Sequence, residues 1–494
     1  MNSAKYKLMR AKFLLAMDEN SGIDSRIEDG YVLTEGNLIL KVGKYSKDIG
    51  KNIITKYSDN LKVIGIEKKV TNEEDIPKLP GVIMPGFVKA HGHDHESPII
   101  GVAKDEPLVD WLDHAVNLFT GFMGEKREFL TSHLGDSPNL ITYRKARIDD
   151  IFYGITSSMV HHCNHNKYRV AEIVQANSEA GTRMIVAMGG QDRNYDERII
   201  DKPGEAVERL NKYKKEFENI SRVQVIPGPD QLFSNGPEQL KSLKKWSRDN
   251  GTLIHAHSSE EPRTTKWFIE TYGMTPVEYA HSIDFLDENT ILAHQVNNTE
   301  NDLKILRDTG TKIVHNPLAN TILGSGMPPV VEMMEMGIPV AISTDGSGSA
   351  DHQNMIMAAK LASQYQKAVL QNARVMPAIK VLEMVTVIPA KFLRFNTGQL
   401  RKGYDADIIF LEMVGPHLTP TRIDNLVENI IWCANGSEVK HVIAGGEMLL
   451  ENWKYQTMPD DKIKSQIEEL SKLMVEHSKT AGEITGTGAR ARKK

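Results

Sequence analysis

Cysteine is nearly absent: Cys163 and Cys433 are the only two in 494 residues. That excludes a disulfide-built scaffold and a Cys-rich zinc module, and it implies a reducing compartment. Long apolar runs are missing too. The N-terminal patch from Phe13 to Met17 stops at Asp18 and is too short for the core of a signal peptide. No run approaches the ~18 residues that a membrane helix needs. Nor is there an excess of one charge: 60 Lys and Arg stand against 65 Asp and Glu, for a net charge of −5. Nothing global draws such a chain to nucleic acid. The expectation is a soluble, cytoplasmic protein with no nucleic-acid and no membrane partner.

What is there reads as ordinary globular sequence, with 40% hydrophobic and 25% charged residues. At about 150 residues per domain, the length suits three domains, or one large barrel with a smaller unit. The first 80 residues are β-rich, with short runs at 27–33 and 37–43 punctuated by glycine. From Val82 onward, short apolar runs alternate with helical patterns. Candidate strands lie at 82–88, 156–160, 183–188, 222–226, 253–256, 290–293, 312–314 and 338–343. Helix ends are recognisable between them. Pro237 opens a helix with Leu240, Leu243 and Trp246 on one face. Thr299 and Asp302 form a capping-box pattern, and Gly310 closes that helix.

Eight strands, each followed by helical sequence, predict an α/β fold of the (β/α)8 TIM-barrel type over 81–390, with a helical lid inserted near 94–153. β patterns return after Pro389, at 403–411 and 439–450. The expected layout is a small β domain built from both chain ends, 1–80 and 391–455, followed by a helix and a disordered basic tail over 456–494. Ile463, Ile467, Leu470 and Met474 mark the apolar face of that helix.

Histidine carries the chemistry. His91 and His93, two apart on a strand, point to the same face, where one metal ion could take both. His95 offers a second register; His91 and His93 are preferred because they lie nearer the apolar run. The fifth strand ends in His255, Ala256 and His257, with Glu260 just beyond. His257 is the ligand candidate, His255 a deeper core histidine, and Glu260 a proton carrier. The sixth, seventh and eighth strands end at His294, His315 and Asp345. Five strands thus present metal-capable or acid–base groups at the C-terminal rim, where barrel enzymes build their sites. The cluster His161, His162, His165 after the second strand reads as polar rim, with a pocket wall or a second ion site as the alternatives.

These motifs together resemble the amidohydrolase superfamily, in its cytosine-deaminase-like branch of guanine deaminases, methylthioadenosine/adenosylhomocysteine deaminases and triazine hydrolases. The resemblance rests on Met84-Pro85-Gly86 before the histidine pair, His257-Ser258-Ser259-Glu260, Ala293-His294, His315-Asn316-Pro317 and Thr344-Asp345-Gly346. It implies that His91, His93, His257 and Asp345 bind one divalent cation, zinc in the first place and iron as the alternative. It implies that Glu260, His294 and Asp345 are catalytic, and that Trp111, His294 and Glu260 contact the substrate. It also implies a homodimer or larger homo-oligomer. Binuclear relatives carry a carboxylated lysine at the end of the fourth strand; here 225–230 holds none, which favours one metal. Many purine-type relatives carry Arg-Gly where this chain has Ile100-Gly101.

The expected activity is hydrolytic deamination of an aminated N-heterocycle (purine, pterin, pyrimidine, triazine or adenosine derivative). Hydroxide generated at the cation attacks an amidine-like carbon, and ammonia leaves. Dechlorination or dealkylamination of a triazine-like ring, cyclic-amide hydrolysis and a catalytically dead scaffold are the alternatives. Glu260 favours deamination, because an amine must be protonated to leave and chloride need not be.

Overall fold

The computed structural model describes residues 4–480. Strands from both chain ends share one nine-stranded mixed sheet. Tyr6–Leu15, Arg26–Glu35, Leu38–Lys44, Leu61–Val63 and Leu79–Pro85 come from the N-terminal side. Ile408–Glu412, Val439–Ala444, Glu447–Glu451 and Lys454–Tyr455 come from the C-terminal side. The two groups meet where Leu79–Pro85 pairs antiparallel with Ile408–Glu412, Ile83 opposite Phe410.

Two local readings change here. The run 82–88 is not one strand: Leu79–Pro85 belongs to the mixed sheet, and Phe87–Lys89 opens the barrel. Gly86 makes the switch. Its N–H reaches Asp407 O in one sheet while the N–H of Phe87 reaches Gly154 O in the other. A Cβ at Gly86 would stand 2.4 Å from the Thr156 side chain. Likewise 439–450 is a hairpin that turns at Gly445 and Gly446. A Cβ on Gly446 would lie 1.8 Å from the carbonyl oxygen of Gly36.

The barrel strands, numbered here β1 to β8, are Phe87–Lys89 (β1), Ile155–His162 (β2), Arg183–Gly190 (β3), Val223–Pro229 (β4), Ile254–Ser258 (β5), Thr290–His294 (β6), Lys312–His315 (β7) and Val340–Ile342 (β8). All run parallel, in two four-stranded ladders, β1 to β4 and β5 to β8. The ladders do not close into one continuous hydrogen-bonded ring. At the β4–β5 seam the contact is a single bridge, Gln231 with His257. At the β8–β1 seam, residues 384–385 intervene: Ile342 N–H donates to Met384 O, and Val88 N–H donates to Val385 O. Small and branched side chains, among them Val88, Ala90, Ala187, Ile226, Ile291 and Ala341, fill the interior against Phe392 and Phe395.

Between β1 and β2 lie helices Leu108–Trp111, Leu118–Glu125, Arg127–Leu134 and Pro138–Phe152, with a π-helical turn at Leu112–Asn117. Helix Asp460–Thr480 packs on Pro138–Phe152, with Ile463, Ile467, Leu470 and Met474 buried. Apart from Thr480 itself, the expected basic tail falls outside the described residues. Among those residues no helix is long and apolar enough to cross a membrane.

Candidate metal centre

Side chains from β1, β5, β6 and β8 converge at the C-terminal rim. His93 Nε2 lies 3.1 Å from His257 Nε2. Asp345 Oδ1 lies 3.2 Å from His91 Nε2 and 3.4 Å from His93 Nε2. His294 Nε2 faces Asp345 Oδ2 at 3.6 Å and Glu260 Oε2 at 3.5 Å. All are buried. His294 and Asp345 both hold positive φ, 75° and 74°, a conformation that non-glycine residues adopt at a cost and that clusters at functional sites.

The hydrogen bonds behind this cluster decide where the protons sit. His93 Nδ1 is 3.1 Å from the His161 carbonyl, and His257 Nδ1 is 2.5 Å from the Asp230 carbonyl. Carbonyls only accept, so both Nδ1 atoms carry hydrogen. Burial, helped by the histidine neighbours and opposed by the Asp345 carboxylate, keeps the His93 pKa well below its ordinary value, so that ring is neutral. The bare His93 Nε2 lone pair then faces His257 Nε2 across 3.1 Å, a spacing at which the two nitrogens can share one cation. His91, pushed down by burial and by His257, has no hydrogen-bond partner on either ring nitrogen. A donor set of three imidazoles and one carboxylate, with backbone carbonyls orienting the rings, fits a divalent metal of the zinc class.

Glu260 is buried, and its Oε2 is unpartnered. Burial, then the Asp345 carboxylate, raises its pKa well above the usual range. Asn320 Nδ2 donates to His294 Nδ1 at 3.0 Å, which leaves the His294 proton on Nε2, toward the two carboxyls. His294 is neutral, lowered to about 3 mainly by burial.

Other sequence candidates land elsewhere. His255 lies deeper, its Nδ1 2.8 Å from His161 Nδ1. His315 is buried on β7 and belongs to none of the ligand-distance groups found among the described residues. The rim reading of the 161–165 cluster is wrong for its first two members, because neighbours on a strand face opposite ways. His161 points inward beneath the cluster and donates from Nε2 to Gly228 O at 3.0 Å. His162 points outward against the Tyr143 ring, and His165 pairs with Asp196 at 2.9 Å. No lysine ends β4; Asp230 follows it.

Several groups at the site had no role that the sequence could assign, although Asp94 and Glu96 stand beside the histidine pair. Glu96 accepts from the Ser349 N–H and hydroxyl, both at 2.9 Å, and burial beside Asp345 raises it to about 8. Lys89 bonds Asp150 at 2.7 Å and Gln353 at 2.9 Å, while Gln353 donates to the Asp345 carbonyl at 3.0 Å. Arg147 spans both Asp94 carboxylate oxygens at 2.6 Å. These partners come from distant segments, and only the fold brings them together.

The cavity over the cluster holds about 30 Å³ and is lined by His95, Trp111, Leu112, Asn164 and Tyr195 besides the groups above. An outer groove of about 970 Å³ shares Leu112 and Tyr195 with it. Cavities that take drug-sized ligands run from roughly 300 to 1,000 Å³, so the inner space is closed to a heterocycle as it stands.

Known proteins share this fold. The model of the amidohydrolase family matches residues 82–449. A 5'-deoxyadenosine deaminase of Methanosphaera stadtmanae is 32% identical over 88% of this chain and 95% of its own length. A 5-methylthioadenosine/S-adenosylhomocysteine deaminase of Caldanaerobacter subterraneus subsp. tengcongensis is 27% identical over 94% of this chain and 97% of its own. Among solved structures, an adenosine deaminase from Xanthomonas campestris with bound zinc aligns with a TM-score of 0.78 at 17% identity, over 95% of this chain and 98% of that one. A zinc complex of atrazine chlorohydrolase from Arthrobacter aurescens aligns with a TM-score of 0.80 at 20% identity, over 94% and 100%. At those identities the structures speak for the barrel fold alone. The family match spans most of the chain, and the chain belongs to the amidohydrolase family.

Proposed function

We propose that the chain hydrolytically deaminates an aminated nitrogen heterocycle, with adenosine derivatives first in line, at a single divalent cation held by His91, His93, His257 and Asp345. The observation that carries this reading is the approach of the His93 and His257 Nε2 atoms to 3.1 Å, beside an unpartnered His91 and the Asp345 carboxylate. When bound, the cation, zinc or alternatively iron, supplies Lewis acidity and a water of lowered pKa.

The chain's own groups do the rest. Asp345 Oδ2 accepts the proton of the attacking water. Glu260, kept protonated by burial, donates to the ring nitrogen beside the attacked carbon. Its second delivery, of the proton relayed from Asp345, goes to the departing amine, and the hydroxyl proton left on the attacked carbon then returns to Glu260 as the C=O forms. C–NH₂ and water become C=O and ammonia. His294 presents its Nε2–H to the oxygen that accumulates charge on the attacked carbon. Trp111 closes the cavity over the ring. The names of the relatives support adenosine derivatives as substrates, since those proteins are named as deaminases of 5'-deoxyadenosine and of 5-methylthioadenosine/S-adenosylhomocysteine. The near-balanced charge and the two free thiols, Cys163 and Cys433, support a cytoplasmic protein without nucleic-acid or membrane partners; a homodimer or larger homo-oligomer rests on the family resemblance alone.

The test is ammonia release from a panel of adenosine derivatives, purines, pterins, pyrimidines and triazines. Ammonia in one-to-one ratio with an oxo product is expected. Chloride or a ring-opened acid without ammonia would replace this reading with dechlorination or cyclic-amide hydrolysis. No turnover and no metal would make the chain a scaffold.

A further inference from the structure

His95 follows the two histidines of the β1 loop on a single helical turn, Asp94–Glu96, and is 1% exposed. It lines the inner cavity beside Asn164 and Tyr195. Asn164 Nδ2 stands 3.0 Å from His95 Nε2 and 3.3 Å from Cys163 Sγ, and Asn164 Oδ1 accepts from the Tyr195 hydroxyl. The chain of bonds has a direction. Tyr195 gives a proton to the amide oxygen, so the amide nitrogen must give one to the imidazole. His95 Nε2 is therefore the acceptor, and the ring hydrogen sits on Nδ1. That Nδ1 is buried and has no partner. A buried N–H without an acceptor is costly, and it is made good when a ligand brings one.

The neighbouring His93, His95 and Cys163 lie at ligand distance from one another, which also suggests a second metal site. The hydrogen bonds argue against it. His93 Nδ1 is spent on the His161 carbonyl, and its Nε2 faces His257. Asn164 occupies both His95 Nε2 and Cys163 Sγ. Only the His95 Nδ1–H is left over, and it is a donor, not a ligand lone pair.

We propose that His95, oriented by the Tyr195–Asn164 relay, is a specificity-determining residue that donates from Nδ1 to an unprotonated ring nitrogen of the substrate. The inference rests on the deamination reading for the identity of the ring, but its contact is one of binding and is measured apart from turnover. The ring nitrogen in question is a different one from that protonated by Glu260. Heterocycles that offer a C–H at that position are discriminated against, because they leave the buried donor unmet.

The probes are 5'-deoxyadenosine and its 3-deaza and 7-deaza counterparts, each replacing one ring nitrogen by C–H. Binding is read by calorimetry and turnover by ammonia release, in the metal-loaded wild type, His95→Phe and His95→Gln. The wild type is expected to disfavour one deaza compound by about tenfold or more. His95→Phe abolishes that discrimination, His95→Gln restores part of it through its amide N–H, and metal content stays at the wild-type level in both. Tyr195→Phe, which removes no member of the proposed ligand set, is the second variant should His95 substitutions fail to fold; it weakens the discrimination without erasing it. Discrimination unchanged in His95→Phe, equal binding of all three compounds by the wild type, or no binding of any, overturns the proposal. So does loss of metal in His95→Phe, which would make His95 a ligand. Binding discrimination without ammonia release would keep this contact and refute the deamination reading.

Discussion

Glu260 and Asp345 flank His294 Nε2 at 3.5 and 3.6 Å, yet their tasks in the proposed reaction differ. Burial raises the pKa of Glu260, which suits the proposed proton donor, while Asp345 also lies close to His91 and His93, which suits the proposed donor set of the cation. The two roles separate on substitution. Glu260→Gln keeps size and polarity but removes the proton, so kcat falls by about 10²- to 10⁴-fold with metal content unchanged. Asp345→Asn lowers metal content together with activity. Elemental analysis alongside ammonia release checks both, and a Glu260→Gln protein with near-normal kcat would remove the residue from the proton path. The ligand candidates were legible in the sequence because each announces itself within a few residues: a histidine pair at i and i+2 past an apolar run, or a His or Asp ending one. The Asp94–Arg147 pair and the Tyr195–Asn164–His95 relay had no such signature. Their members are separated by 31 to 69 residues and meet only in the fold.

At the level of elements, the segment between β1 and β2 governs access. Trp111 is buried at the end of helix Leu108–Trp111, directly before the π-helical turn Leu112–Asn117, a local irregularity often found at functional sites. An inner cavity of about 30 Å³ admits water but no heterocycle, so the turnover proposed here requires these helices to move. Hydrogen exchange over 108–125 is expected to be fast in the free protein and to slow on binding of a non-reacting ring analogue. Exchange as slow as in the barrel strands before ligand is added would contradict a moving lid. A second element was readable residue by residue. Thr299 and Asp302 cap helix Glu300–Thr309 reciprocally, and Gly310 closes it with φ of 66°. Thr299→Ala is expected to cost about 1 kcal/mol in denaturant unfolding and to leave kcat unchanged, since the cap lies outside the cavity lining. What the sequence concealed at this scale was the split of 82–88 between two sheets. The stretch is apolar on both sides of Gly86, and only the fold marks the break, through the separate partners of the Gly86 and Phe87 N–H groups and the close approach of Thr156.

For the whole molecule, buried histidines set the response to acid. Burial brings His162 and His315 each down to about 3 from 6.5. Above pH 6.5 neither state binds these protons, and stability is unaffected. As pH falls below 6.5 the unfolded chain binds protons that the folded one refuses, so stability drops until about pH 3. The slope is up to ~1.4 kcal/mol per pH unit for each histidine. Urea midpoints measured from pH 7.5 to 5 are expected to fall, with a shallower slope in His315→Asn; a flat profile would contradict the burial. The barrel was legible from eight short apolar runs alternating with helices. The mixed sheet was harder to see: Tyr6–Leu15 showed only as an apolar patch at its far end, and its neighbour Leu79–Pro85, which joins it to the C-terminal strand Ile408–Glu412, was hidden in the run that also supplies β1. The account as a whole depends on one cation shared by β1, β5 and β8. The most direct test is the metal stoichiometry of the purified protein by elemental analysis, with His257→Ala as control. One equivalent of zinc or iron per chain, lost in the variant, is the predicted result; no bound metal, or two equivalents, would contradict it.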